Sequence, residues 1–184
     1  MAADVKDPEN TLYLDLKDGR VVIELRPDLA PNHVKRIKEL VRKGFYDGVV
    51  FHRVIDGFMA QTGDPTGTGT SGSGQKLKAE FSKEKHERGT VSMARASDPD
   101  SADSQFFICL ADSAFLNGQY TVWGKVTSGM EFVDKIKKGA PGSGKVDSPD
   151  KLIKLQVAAD ADKSAGKADA PKADAPKADA GKKQ

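Results

Sequence analysis

A mainly β domain is the fold class this sequence predicts. Eight short runs have strand length and apolar patterning, only two segments carry helical spacing, and a compact hairpin signal joins the first two strands. Eight strands with two helices suggest an antiparallel barrel whose open ends are plugged, with a two-sheet sandwich as the alternative. A chain of 184 residues suits one such domain with a real core.

The elements follow in chain order. TLYLDL (11–16) puts Leu12, Leu14 and Leu16 on one face, and RVVIEL (20–25) does the same with Val21, Ile23 and Leu25. Lys17-Asp18-Gly19 between them is a turn signal, because glycine tolerates positive φ. In PNHVKRIKELVRKG, Val34, Ile37, Leu40 and Val41 recur at helical spacing; Pro31 suits the first turn and Gly44 the stop. Further strands are expected at 49–55, 58–62, 90–94, 105–110, 121–126 and 152–157. In SGMEFVDKIKKG, Met130, Val133 and Ile136 mark a second helix, with Gly139 as its stop.

Outside this unit the composition changes. Residues 1–9 read as a short N-terminal extension, and 10–157 as the folded domain. From Ala158 to Gln184 the chain is almost entirely Ala, Asp, Lys, Gly and Pro, with KADAP at 167–171 and again at 172–176. Nothing there can offset the entropy of ordering, so 158–184 reads as a disordered, proline-stiffened spacer. Its lysines are nearly matched by aspartates, which argues against a nucleic-acid role. Its two Ala-Pro bonds are also tethered candidates for any proline-binding groove in the domain.

Charge excludes little: 29 Lys and Arg face 27 Asp and Glu, a net of +2. The single Cys109 rules out an intrachain disulfide and lies in the apolar run QFFICL, where it reads as a small core residue. No run approaches the roughly 18 apolar residues of a membrane span, and the N-terminus lacks a secretory pattern. A cytoplasmic protein is expected, or a periplasmic one if a signal was removed.

Two glycine clusters mimic nucleotide motifs. GTGTSG (67–72) spells G-x-G-x-x-G, but a polar turn precedes it where a buried strand is required, and no helical stripe follows. GAPGSGK (139–145) matches a phosphate loop until Val146, where Ser or Thr is needed to hold magnesium. Both read as loops. His33 and His86 are expected to be solvated, and His52 to be an inward, hydrogen-bonded structural histidine. None has a metal-ligand companion at usable spacing.

Chemistry concentrates in FHRVIDGFMAQTGD (51–64). Alternation places Arg53 beside Phe51 and Ile55, where its donors need partners, and Gln61 on the next strand offers a carbonyl. Taken alone, Arg53 also suits an edge position with its head in water. With GTVSMARA, SQFFI and VWGKV downstream, the chain resembles the cyclophilins, a family of peptidyl-prolyl cis–trans isomerases, across about residues 10–157.

The resemblance implies a closed eight-stranded antiparallel β-barrel capped by two α-helices, acting on proline-containing peptides and folding proteins. The residues themselves call for no cofactor or metal, and nothing in the sequence demands more than a monomer. It implies a catalytic Arg53 held by Gln61. Phe58, Met59, Phe107 and Leu116 would form a proline pocket. Ala94, Arg95 and Gln105 would line the peptide groove, with Gly67 in the loop that faces the residues before proline. Phe115 and Tyr120 stand where the eukaryotic pattern has Trp and His, and Arg95 where it has Asn, as in the bacterial branch. Phe115 cannot donate the hydrogen bond that a Trp gives cyclosporin A, so weak binding of that drug is expected. Asp56 replaces a common turn proline. The competing reading is a proline-binding module whose turnover is incidental.

Overall fold

The computed structural model of the chain describes residues 6–161. Strands β1 (Thr11–Leu16) and β2 (Gly19–Leu25) form the expected hairpin, and Leu12, Leu14, Val21 and Ile23 are fully buried. Gly19 is required by space as well as by the turn. A side chain there would meet the Phe132 ring 2.6 Å away, where the second helix packs on the hairpin.

Helix α1 (Pro31–Arg42) buries Val34, Ile37, Leu40 and Val41 in the main core. It ends just before Gly44, which adopts φ of 73°. Strands β3 (Arg53–Ile55), β4 (Met59–Thr62), β5 (Thr90–Met93), β6 (Phe106–Cys109) and β7 (Val122–Ser128) follow, then α2 (Met130–Asp134) and β8 (Lys154–Val157). The α2 helix is shorter than its spacing suggests. Lys135 and Ile136 donate backwards to Phe132 and Val133, closing a tight turn that buries Ile136 without extending the helix.

All strand pairs are antiparallel, in the order β3-β4-β6-β5-β7-β2-β1-β8. The expected closed barrel is corrected by this order. The sheet is a curled, open half-barrel, because β3 and β8 do not pair. The 139–151 loop lies along the free edge of β3: Val54 N–H donates to the Gly144 carbonyl and Phe51 N–H to that of Asp150. Isolated bridges join Arg53 to Lys145 and Val50 to Lys151. The edge's polar groups are thereby paired without a closing ladder.

The inner face of the sheet and the two helices enclose one large core, which includes Trp123, Phe51 and Phe106. Met59, Phe107, Cys109 and Leu116 form a second, smaller buried cluster. Burial pushes the Cys109 thiol up to about 12 and makes it inert, in keeping with a packing role. Among the described residues no helix is long and apolar enough to cross a membrane.

Of the N-terminal extension, residues 6–9 are described, and Glu9 pairs with Lys38 and Arg42 on α1. Residues 158–161 form a helical turn in which Ala158 is buried and Asp160 pairs with Arg42, so ordered chain continues past the expected boundary at 157. The remainder of the expected spacer, 162–184, lies outside the described residues.

Candidate active site

Register builds the site. Arg53 on β3 stands opposite Gln61 on β4, which stands opposite Phe107 on β6, which stands opposite Ser92 on β5. One row thus crosses four strands, and period-2 alternation sends all four side chains to the same face. The next row on that face is Ile55, Met59 and Cys109, while Val54, Ala60, Ile108 and Val91 point into the main core. Gly57, at φ of 74°, turns β3 into β4 and brings Phe58 over the same face.

These residues surround a cavity of about 150 Å³, to which Arg53, Gln61 and Arg95 contribute the charged and amide groups. Phe58, Met59, Ala94, Phe107, Leu116 and Tyr120 complete its wall. Gln105 lines an adjoining cavity of about 340 Å³, which shares Gln61, Ala94 and Arg95 with the first. Two expected residues stand apart from both. Phe115 is 66% exposed and leans on Phe58 at 5.4 Å between ring centres. Gly67 sits against Val50, and Gly69 takes its place at the cavity wall.

Arg53 is gripped on two sides. Its Nη1 donates to Gln61 Oε1 at 3.3 Å and its Nε to the Ser143 carbonyl at 3.1 Å. Gln61 Nε2 donates to Gln105 Oε1 at 2.9 Å, and Gln105 Nε2 to the Ser71 carbonyl at 3.0 Å. The second grip comes from GAPGSGK, the phosphate-loop mimic. Gly144 packs so closely on β3 that a side chain there would approach Ile55 to 2.6 Å and Arg53 to 3.1 Å. Sequence reasoning missed this contact because a main-chain carbonyl leaves no residue-type signal.

The other glycine cluster holds an anion of the chain's own. Asp64 accepts from Thr66 N and Oγ1, both at 2.7 Å, from Gly69 N at 2.6 Å and from Ser71 N at 3.1 Å. Burial by itself would raise its pKa, but these donors hold the carboxyl down at about 2. The resemblance to a dinucleotide turn is thus physical as well as textual: backbone N–H groups converge on negative charge, which a side chain supplies.

The histidines differ from expectation. His33 and His86 are buried, not solvated. His33 Nδ1 meets Glu80 Oε1 at 2.6 Å, and the same carboxylate caps the first turn of α1 by accepting from the N–H groups of Asn32 and His33. His86 turns inward from a charged loop, bonds Ser92 and Asn117, and stacks behind Phe107 at 6.2 Å. His52 is buried as expected, under Gly69, but neither ring nitrogen has a hydrogen-bond partner among the described residues. Burial pushes the pKa of all three below the usual imidazole value.

A family model described as cyclophilin type peptidyl-prolyl cis-trans isomerase/CLD matches residues 11–157. The chain belongs to the cyclophilin-type peptidyl-prolyl cis-trans isomerases. This cyclophilin is 59% identical over 171 residues to a probable peptidyl-prolyl cis-trans isomerase of Brucella suis, covering 86% of this chain and 87% of that protein. It is 47% identical over 132 residues to peptidyl-prolyl cis-trans isomerase B of Bacillus subtilis, covering 70% and 92%. Among solved structures, a cyclophilin from Hirschia baltica superposes with a TM-score of 0.74 at 30% identity, covering 84% of this chain and 76% of that one. A Cryptosporidium parvum cyclophilin-type isomerase crystallised in the presence of the dipeptide Ala-Pro gives 0.73 at 31% identity, covering 80% and 98%.

Proposed function

We propose that this cyclophilin accelerates rotation about X–Pro bonds in folding proteins by stabilising the twisted amide with Arg53. The reading is supported by one observation above all: a doubly held guanidinium lines the same cavity as Phe58, Met59, Phe107 and Leu116. Proline-containing peptides are the expected substrates, in line with the Ala-Pro dipeptide used with the Cryptosporidium relative.

The barrier to rotation is about 18–20 kcal/mol because the nitrogen lone pair is delocalised into the carbonyl. Uncatalysed exchange takes roughly 10–100 s at 25 °C. In the twisted transition state the lone pair returns to nitrogen, which becomes a better hydrogen-bond acceptor. A guanidinium aimed there binds the twisted amide more strongly than the planar one, and only such a differential speeds the step. A guanidinium offers a fixed fork of charged donors, and that of Arg53 is held by Gln61 and Ser143.

A charge-assisted hydrogen bond contributes about 1.5–3 kcal/mol, hence roughly one or two powers of ten in rate. The remainder is assigned to anchoring the proline ring in the apolar walls while the carbonyl side swings, away from water that stabilises the planar form. No proton moves, so no titrating group is required. The test is isomerisation of an Ala-Ala-Pro-Phe peptide by the Arg53→Ala variant. The rate should fall about 10- to 100-fold with an unchanged melting temperature. An unchanged rate would remove Arg53 from the mechanism.

A further inference from the structure

A different face of the molecule carries charge that the proposed isomerase chemistry does not use. On α1, Val34, Ile37, Leu40 and Val41 turn to the core. This leaves Asn32, Lys35, Arg36 and Glu39 as one outer stripe, at positions i, i+3, i+4 and i+7. Opposite the stripe runs the segment 75–78. Its Leu77 is buried and bridges to Ala102, with Leu77 N–H donating to the Ala102 carbonyl at 2.7 Å. With Leu77 turned inward, alternation turns Lys76 and Lys78 outward together, and both are exposed. Stripe and segment border a cavity of about 320 Å³, which shares no wall residue with the cavity beside Arg53.

Its charge is one-sided. Lys35, Arg36, Lys76 and Lys78 stand against a single carboxylate, Glu39. The three lysines are exposed and form no ion pair among the described residues. Arg36 is held in place, with its side chain only 11% exposed. Its Nη1 donates to Glu39 Oε1 at 3.3 Å and its Nη2 to Ser73 Oγ at 3.0 Å, while Nε is buried without a partner among the described residues. Ser73 is itself fixed, since its Oγ donates to Asp103 Oδ1 at 2.5 Å. The neighbouring carboxylate of Glu80 is occupied with the N–H groups of Asn32 and His33 and with the His33 ring. The first turn of α1 is therefore already capped, and the cavity's pull on an anion comes from side chains.

We propose that this cavity binds a small molecule bearing a diphosphate group. Four cations less one carboxylate leave three positive charges in the wall. A phosphoryl group brings about −1.5 to −2 of charge near pH 7 and three strong acceptor oxygens. Two linked groups match the surplus, and their oxygens can meet a fixed guanidinium and several ammonium groups at once. A carboxylate brings only one charge. The volume lies at the small end of ligand sites, about 300–1,000 Å³. The diphosphate could arrive free or on a nucleotide. Among the described wall residues none is aromatic and Leu77 alone is apolar, so nothing is placed to stack on a base. The inference stands apart from the proposed isomerase function.

The experiment titrates inorganic pyrophosphate and ADP separately into the full-length chain, without divalent metal, and follows backbone amide shifts by NMR. Saturable shifts should cluster at 32–39 and 75–78 and weaken with added salt. Similar Kd values for the two ligands uphold the site and identify the free anion as sufficient; a tenfold preference for ADP upholds it and identifies the nucleotide. Exposed ion pairs are worth up to about fivefold each, so Lys35→Gln with Lys78→Gln should weaken binding about 25-fold. Glu39→Gln removes the competing carboxylate and should tighten binding about fivefold, a gain that a damaged fold cannot imitate. Shifts confined to Arg53, Gln61 and Arg95, the lack of any saturable shift, or a Kd indifferent to both variants overturns the site and leaves the isomerase reading untouched.

Discussion

Phe106 and Phe107 are neighbours on β6, yet they serve opposite sides of the sheet. Phe106 is fully buried in the main core, edge-on to Trp123 at 5.3 Å and to Tyr46 at 5.5 Å. Phe107 faces the small cluster, backed by His86 and edge-on to Tyr120 at 5.8 Å, with its remaining surface turned to the cavity beside Arg53. The inner face is packed on all sides, so its dispersion contacts are complete. The outer face stops one layer short and presents apolar walls, which the proposed function fills with a proline ring. On that reading, neighbouring residues of one type divide stability and binding between them.

Alanine at each position breaks that comparison most directly. Phe106→Ala should cost about 3–5 kcal/mol of stability, read as a large drop in melting temperature, while folded molecules keep their kcat/KM. Phe107→Ala should do the reverse, with a smaller thermal loss and a raised KM or lost turnover. Similar thermal losses in the two variants would dissolve the distinction.

The glycine-rich loop sharpens it, because that loop belongs to the outer face and is held by hydrogen bonds in place of packing. Asp64→Asn removes a charged acceptor from Thr66, Gly69 and Ser71, which should cost about 1–3 kcal/mol. With its folded pKa held at about 2, below the unfolded value, the Asp64 contribution is fully present above about pH 4 and disappears as pH falls towards 2. The wild-type melting temperature should fall over that interval more steeply than that of the Asn variant.

A milder effect is expected nearer neutrality. Burial holds His33, His52 and His86 below the usual imidazole pKa. Unfolded histidines protonate near about 6.5; below that the unfolded chain binds more protons than the folded one, and stability falls as pH falls. The melting temperature should decline from pH 7.5 to 5, and His52→Gln should flatten part of that slope. A flat wild-type profile would contradict the burial of neutral imidazoles.

Much of the fold was legible because period-2 patterning survives in β1 and β2, where only one face is strongly apolar. It failed on β6, where Phe106, Phe107, Ile108 and Cys109 are all buried and alternation cannot say which ring faces which side. The histidines were misread for a related reason. His86 sits among charged residues in sequence, but a loop can turn one side chain inward while its neighbours stay in water.

Residue types and their order by themselves determined the strands, the first helix, the failure of both nucleotide motifs, and Arg53 with Gln61 as the pair that needs explaining; the resemblance to the cyclophilins added Phe58, Met59, Phe107 and Leu116. Only the tertiary structure decided that the sheet stays open at β3, that Ser143 supplies the second grip on Arg53, and that Asp64 fills the glycine-rich loop. Each of these depends on a main-chain group or on a long-range approach. Such contacts are made by backbone geometry common to every residue, so they leave no mark in the pattern of side chains.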